Sequence, residues 1–201
     1  RIPAREESRI LVNFDGSLDQ LATVAHELGH GFHNRCQQGL PQLLRGAPMT
    51  LAETASIFCE TIVFHAALQS APPAARISIL ENQLIGVTQV CVDISARIYF
   101  ESEVLRRRGK SELSADELNG IMLEAQKRTY GDPLDARHLH PYMWVMKPHY
   151  YSAELNFYNY PYAFGQLFGL GLYSLYRREG RAFVPRYLDL LRSTGAAAGV
   201  G

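Results

Sequence analysis

The sequence predicts a mainly α domain built from several helices, with a short strand at residues 9–14 before the first of them. In most segments apolar residues recur every three or four positions, which is the period of a helix with one buried face. Serine, threonine or aspartate precedes several of these segments, and glycine or proline follows them, as at helix ends. The 201 residues can bury a sizeable core. We therefore expect one domain over 1–194 and a flexible tail over 195–201.

The first helix is predicted over about residues 17–37. Asp15 or Ser17 can cap its start, and an apolar stripe with helical period runs along one side. Two glycines in its interior, Gly29 and Gly31, each cost about 1 kcal/mol relative to alanine. We expect another backbone or helix to approach this helix closely at these glycines.

Several further helices follow along the chain. They are predicted over about 50–69, from 73 to 108, 114–129, 161–178 and 181–193. The long helix that starts at 73 ends in three arginines, which suit the negative C-terminal end of the helix dipole. Ser114 and Glu117 have the spacing of a capping box, which marks the start of the next helix.

The first helix carries a run that is typical of zinc peptidases, His26-Glu27-Leu28-Gly29-His30. Residues four apart lie on one face of a helix, so the two imidazoles can bind one zinc ion. Glu27, beside the first histidine, can then activate a water molecule for attack on a peptide bond. The run therefore predicts metal-assisted peptide hydrolysis, whereas an amphipathic helix with two surface histidines is the plainer alternative.

A catalytic zinc site usually has three protein ligands. The metzincin arrangement is excluded, because His33 stands where its glycine should be and Cys36 where its third histidine should be. Glu53, in the next predicted helix, is the candidate for the third ligand. Thr50 and Glu53 also have the spacing of a capping box, and the two roles weigh about evenly on sequence alone. The upstream motif favours the ligand role.

Glu60 lies two turns after Glu53 on the same face of the second helix. Its carboxylate can orient a ligand histidine by a hydrogen bond to the far ring nitrogen. A salt bridge to an arginine is an equally good interpretation of this spacing. Of the other histidines, His33 could support His30, His138 and His140 most simply belong to a solvated loop, and His65 to helix surface or core.

Three segments together resemble one known family. They are His-Glu-Leu-Gly-His-Gly-Phe-His at 26–33, Glu-Thr-Ala-Ser-Ile-Phe-Cys-Glu at 53–60 and Phe-Tyr-Asn-Tyr-Pro-Tyr-Ala-Phe-Gly at 157–165. In this order they resemble the oligoendopeptidase F branch of the thimet oligopeptidase-like zinc metallopeptidases, over nearly the whole chain. The resemblance implies a multi-helix zincin-type catalytic domain, a deep channel, one zinc ion per chain and cleavage of short peptides.

The resemblance also implies that a histidine and a tyrosine from the C-terminal part donate hydrogen bonds to the oxyanion. His149 and Tyr160 match these positions best, and Tyr151 and Tyr158 are further candidates for contacts with substrate. Where thimet-type enzymes carry a glycine-rich loop, this chain has Tyr-Ser-Ala-Glu-Leu-Asn at 151–156. The choice among the tyrosines therefore stays open.

The expected function is that of a zinc metalloendopeptidase that hydrolyses short oligopeptides through a metal-activated water. One alternative is a zinc-binding but incomplete catalytic domain, because family members carry an N-terminal lobe that this chain lacks. Exposed apolar surface where that lobe docks could then drive association. A helical binding scaffold with an accidental motif is the third interpretation.

Composition excludes several other functions. The net charge is zero, so nothing favours a nucleic-acid partner. No apolar run approaches the roughly 18 residues of a membrane span, so we expect no membrane partner. The three cysteines, Cys36, Cys59 and Cys91, are odd in number and widely spaced, which favours buried reduced thiols in a cytoplasmic protein.

Overall fold

The computed structural model of the chain describes residues 7–153 and 157–196. Seven α-helices account for most of the described residues: α1 (Leu18–Cys36), α2 (Thr54–Ser70), α3 (Pro73–Thr88), α4 (Ile94–Arg108), α5 (Ala115–Tyr130), α6 (Tyr160–Glu179) and α7 (Phe183–Ser193). The predicted mainly α fold is confirmed. The expected strand at 9–14 is not confirmed, because these mostly exposed residues have no regular secondary structure. A strand needs a neighbour for its backbone hydrogen bonds, and the described residues supply none.

Helix α1 begins where its capping signal predicts. The Ser17 side chain accepts a hydrogen bond of 3.2 Å from the backbone N–H of Gln20, which satisfies one donor of the first turn. The helix ends at Cys36, and the backbone N–H of Gln37 bonds the His33 carbonyl. The predicted capping box at the start of α5 also forms, since Ser114 and Glu117 exchange both of its hydrogen bonds.

Helix α2 starts later than the sequence predicts. The chain first makes a 3₁₀ turn at Met49–Leu51, and the α-helix begins only at Thr54. Glu53 therefore occupies the N-cap position of α2, where its side chain makes no capping hydrogen bond. Because Thr50 lies in the preceding turn, the alternative of Thr50 as N-cap of this helix is wrong.

The predicted long helix from 73 to 108 contains an irregularity. A π-helical turn at Gln89–Asp93 separates α3 from α4. Such single turns insert an extra residue into the helical ladder and occur often at functional sites. The apolar period continues through this turn, so the sequence pattern alone does not reveal it.

The chain divides into two compact units, Arg1–Leu84 with Phe164–Gly201, and Ile85–Ala163. In the first unit, α2, α6 and α7 share a core of six buried residues: Ala55, Phe58, Leu172, Phe183, Tyr187 and Leu191. In the second unit, α4 and α5 pack around a separate core of Ala96, Phe100, Ile121, Met122 and Ala125. Of the predicted tail, Gly195 and Ala196 form a turn and 197–201 lie outside the described residues.

One segment, Met49–Ser70, is long and apolar enough to cross a membrane by length and composition alone, contrary to our expectation from sequence. A single such helix is weak evidence, because a core helix passes the same test. Here its first half is buried against the protein interior. The three cysteines are free, with Cys36 and Cys59 partly buried and Cys91 exposed, so the expectation of buried thiols is wrong for Cys91.

Candidate metal centre

Helix α1 brings His26 and His30 together on one face of the first unit. Their Nε2 atoms lie 3.1 Å apart, and both side chains are partly buried. Their rings meet edge to face, with centroids 4.7 Å apart. The four-residue spacing in mid-helix fixes this geometry, because successive turns stack the two side chains one above the other.

Glu53 completes a cluster of three possible metal ligands. Its Oε2 lies 3.2 Å from Nε2 of His26 and 3.4 Å from Nε2 of His30, and the residue is only 4% exposed. A tetrahedral zinc ion with bonds of about 2.0–2.1 Å holds its ligand atoms about 3.3–3.4 Å apart. The three separations in this site therefore fit one face of such a tetrahedron. Two imidazoles and one carboxylate are also a donor set that catalytic zinc sites use.

Two further side chains make hydrogen bonds to these candidate ligands. The Glu60 carboxylate accepts a hydrogen bond from Nδ1 of His26, so the Nε2 atom of the same ring faces Glu53 and His30. Ser56 Oγ donates to Oε2 of Glu53 at 2.9 Å. The sequence interpretation named Glu60 but missed Ser56, whose only signal is its place three residues after Glu53, one turn along the helix.

The charges of the site favour a cation. Burial by itself lowers the pKa of His26, but hydrogen bonds with Glu53 and Glu60 outweigh burial and raise the pKa to about 10. The two carboxylates thus hold a positive charge here at neutral pH. A divalent ion would satisfy the same carboxylates and displace the proton, because a ligand imidazole must be neutral.

Close helix packing sets the distance between the ligands. A Cβ atom added at Gly29 of α1 would lie 2.5 Å from both the Ala55 carbonyl oxygen and the Ser56 Cα of α2. One at Gly165 of α6 would lie 2.8 Å from the Glu53 Cβ. Both glycines thus allow neighbouring helices to touch α2 where it carries Glu53. Close approach was predicted for Gly29 and for Gly31, but among the described residues a Cβ added at Gly31 would meet only side-chain atoms, at 3.7 Å or more.

Glu27 directly follows the first ligand histidine on α1 and is partly buried. Its neighbours in sequence are the candidate ligand His26 on one side and the exposed Leu28 on the other. The Glu27 carboxylate is thus adjacent in sequence to a histidine that could bind the ion. This is the position that a general base requires in the His-Glu-x-x-His arrangement.

The second unit contains the other predicted residues. His149 lies in a 3₁₀ turn at Pro148–Tyr150, and its ring meets the ring of the buried Tyr158 edge to face, with centroids 6.1 Å apart. The Nδ1 atom of His149 is buried without a hydrogen-bond partner among the described residues. Tyr160, the first residue of α6, is 39% exposed, and Tyr151 is 61% exposed.

The remaining histidines have other surroundings. The Nε2 atom of buried His33 lies 2.9 Å from Thr194 Oγ1 and 3.1 Å from the Leu191 carbonyl oxygen, so His33 links α1 to α7 instead of supporting His30. His65 stacks on Tyr173 with ring centroids 4.5 Å apart. His138 and His140 are exposed, and within the described ranges they belong to no cluster of metal ligands.

Comparison with known proteins agrees with the resemblance of the three motifs. The model of peptidase family M3 matches residues 5–197. The chromosomal oligoendopeptidase F of Lactococcus lactis subsp. cremoris is 29% identical over 159 residues, which are 78% of this chain and 26% of that protein. Oligopeptidase PepF of Bacillus subtilis is 26% identical over 187 residues, 92% of this chain and 28% of the relative. Group B oligopeptidase PepB of Streptococcus agalactiae is 28% identical over 159 residues, 78% and 26% of the two chains.

No solved structure matches the chain. The chain spans about a quarter of the length of the curated relatives that it matches. The family match nevertheless covers almost every residue from the strand candidate to the last helix. By this match and these relatives, the chain belongs to peptidase family M3, in the branch of the oligoendopeptidase F proteins.

Proposed function

We propose that the chain is a zinc-dependent metalloendopeptidase that hydrolyses peptide bonds in short oligopeptides. The observation that carries the proposal is the approach of the three ligand atoms of His26, His30 and Glu53 to 3.1–3.4 Å of one another. One zinc ion per chain is the proposed cofactor, because two imidazoles and a carboxylate suit zinc. The oligopeptidase names of the relatives support short peptides as the substrates.

In this proposal each residue of the metal centre has one task. A zinc ion bound here would polarise the peptide carbonyl and make water acidic enough to react near neutral pH. Glu27 takes the proton from that water and later delivers it to the leaving amine. Glu60 keeps the His26 ring turned with Nε2 towards the site, and Ser56 steadies the Glu53 carboxylate.

The motif resemblance supports residues of the second unit as the hydrogen-bond donors to the oxyanion that forms on the peptide carbonyl. His149 and Tyr160 are the proposed donors, and Tyr158 and Tyr151 are proposed to contact the substrate. The exposure of the Tyr160 side chain supports its choice, since a donor must reach a peptide in solution, whereas Tyr158 is 8% exposed. One well-placed donor of this kind contributes about 100- to 1000-fold in rate.

We also propose a cytoplasmic location and no nucleic-acid partner. The free cysteines suit a reducing compartment, where thiols stay unpaired. The zero net charge supports the proposal that the chain has no nucleic-acid partner. Exposed apolar side chains on α3, among them Ile77 and Leu84, offer a surface for association with another protein.

The substitution Glu27→Gln tests the mechanism. Glutamine keeps the size of the side chain but cannot take a proton, so zinc binding should persist while cleavage of a quenched fluorescent peptide falls by about 100- to 10,000-fold. Glu81→Gln, which changes an exposed glutamate on α3, is the matched control and should leave both unchanged. Full activity in Glu27→Gln would refute the mechanism.

The same assay separates the alternatives. Zinc bound at one ion per chain without any turnover would support an incomplete catalytic domain. A chain that binds no zinc would support the helical scaffold with an accidental motif.

A further inference from the structure

A buried polar cluster in the second unit has no part in the metal centre. Its members are Asp93, Arg97, Glu101 and Asn159. Asp93 ends the π-helical turn, and Arg97 and Glu101 follow it at intervals of four residues on the same face of α4. All four are at most 9% exposed, and Asn159 is completely buried. Buried charges are costly unless they are paired, so the cluster calls for a physical reason.

Asn159 uses both ends of its side-chain amide in this cluster. Its Oδ1 accepts a hydrogen bond of 3.2 Å from Nη1 of Arg97, and its Nδ2 donates to Oε1 of Glu101. Arg97 in turn pairs with Asp93. These two contacts fix the orientation of the amide, because a flipped amide would set its donor against the Arg97 guanidinium and its acceptor against the Glu101 carboxylate.

The Asp93 carboxylate is itself held from two sides. Tyr130 of α5 donates its hydroxyl to Oδ1 at 2.8 Å, and Gln89 donates its amide to Oδ2 at 2.7 Å. The donor Gln89 and the acceptor Asp93 are the two ends of the π-helical turn. The irregular turn thus places Asp93 where it can pair with Arg97, and the cluster is anchored to both α4 and α5.

Backbone hydrogen bonds connect Asn159 and its neighbour Phe157 to other residues of the segment. The Asn159 carbonyl accepts from the N–H of Tyr162 in the first turn of α6, and the N–H of Phe157 donates to the carbonyl of His149 at 3.1 Å. Phe157 has φ of +55°, a left-handed conformation that a non-glycine residue adopts only when its surroundings impose it. One side-chain clamp therefore fixes the segment 157–162, which is in turn bonded to His149.

We infer that Asn159, held by Arg97 and Glu101, is the positioning residue for the oxyanion donors on either side of it. This inference rests on the proposed function, because the flanking Tyr158 and Tyr160 and the bonded His149 are its candidates for donors and substrate contacts. Asn159 touches no substrate. It sets where these donors stand, and an error of about 1 Å in such a position can cost on the order of 100-fold in rate.

The test is the substitution Asn159→Ala, with zinc affinity, kcat and KM measured on a quenched peptide. The expected result is a kcat about 10- to 100-fold lower, a KM changed by less than about threefold and an unchanged zinc affinity. The zinc affinity should not move, because the three proposed ligands belong to the first unit and the cluster to the second. A loss of kcat that only followed the fraction of unfolded protein, measured by circular dichroism at the assay temperature, would count against the inference.

Two variants of Glu101 and one control keep the test decisive if Asn159→Ala does not fold. Glu101→Gln keeps an oxygen that can accept from Asn159 and should retain kcat, whereas Glu101→Ala removes the acceptor and should lower it. Asn119→Ala removes another side-chain hydrogen bond of the same unit, that with Trp144 at 3.0 Å, and should leave kcat unchanged. Equal kcat values for Glu101→Ala and Glu101→Gln, or wild-type kcat in a folded Asn159→Ala, would overturn the inference while the proposed function stands. No turnover by the wild-type chain would overturn both.

Discussion

Replacing Gly29 by alanine tests whether the packing of α1 on α2 sets the geometry of the metal centre. The added Cβ would lie 2.5 Å from two backbone atoms of α2, and 2.8 Å from a third, the Ala55 carbonyl carbon. Carbon atoms in contact prefer separations of about 3.5–4.0 Å, so the two helices must separate locally by about 1 Å. Backbone atoms cannot move aside as a flexible side chain can.

Such a separation acts directly on the ligands, because α1 carries both histidines and α2 carries Glu53. Metal–ligand distances tolerate only about 0.2 Å of error. We expect the zinc affinity of Gly29→Ala to fall by at least about 10- to 100-fold, the range seen when groups supporting a metal site are lost. Overpacking costs about 1–3 kcal/mol of folding free energy, against a gain of about 1 kcal/mol from better helix propensity, so the chain should still fold.

The assay is competition for zinc with a chromophoric chelator, combined with urea unfolding. Gly31→Ala is the matched control, two residues further along the same helix. Within the part of the chain that the structure describes, its Cβ would meet only the side chains of Ile10 and Ser8, at 3.7 and 3.8 Å. Zinc affinity should stay at the wild-type value, and stability should rise by up to about 1 kcal/mol. Equal zinc affinity of Gly29→Ala and Gly31→Ala would refute the role of helix packing.

Three further substitutions have expected outcomes. Ser56→Ala removes the hydrogen bond to the Glu53 carboxylate and should weaken zinc binding about 10-fold in the same competition assay, whereas an unchanged affinity would argue against that support. His33→Ala should cost about 2 kcal/mol in urea unfolding, because Thr194 loses a buried partner; a cost below 0.5 kcal/mol would contradict this. Burial raises the pKa of Glu101 to about 7, against the opposing effects of the Asn159 amide and the Arg97 charge, so the folded chain holds this proton more tightly than the unfolded chain. That contribution to stability is complete below pH 4.5 and is lost as the pH rises to about 7. The free energy of unfolding should therefore fall more between pH 5 and pH 8 in the wild type than in Glu101→Gln. Equal falls in the two proteins would disprove this.

Local patterns in the sequence were sufficient for the presence of most helices and for two of the three candidate ligands, but not for the start of α2 or for the π-helical turn. The spacing of His26 and His30 fixes their relation within one helix, so no tertiary information is required. The energetic cost of Gly29 in a helix predicted a close neighbour, which the structure places at α2. Gly31 has the same unfavourable helix propensity, but no described backbone approaches it closely. Helix propensity gives the energetic cost of a glycine and does not show why the glycine is there.

Features that depend on distant contacts were not predictable in the same way. Glu53 had two local interpretations, and only the docking of α2 on α1 brings its carboxylate to the histidines. The segment 9–14 has the composition of a strand, but no described residue pairs with it. Asn159 gave no signal, because its importance lies in contacts with α4 about 60 residues earlier in the chain. Polar residues of this kind show their role only when the burial and the partner are both known.

Zinc binding by the wild-type chain and by Glu53→Ala tests the central claim most directly. Elemental analysis of the purified wild type should give one zinc per chain, and chelator competition should show at least about 100-fold weaker binding in Glu53→Ala. His138→Ala, which removes an exposed histidine, should bind zinc like the wild type. A wild-type chain without zinc, or an unchanged affinity in Glu53→Ala, would contradict the assignment of His26, His30 and Glu53 as the metal ligands.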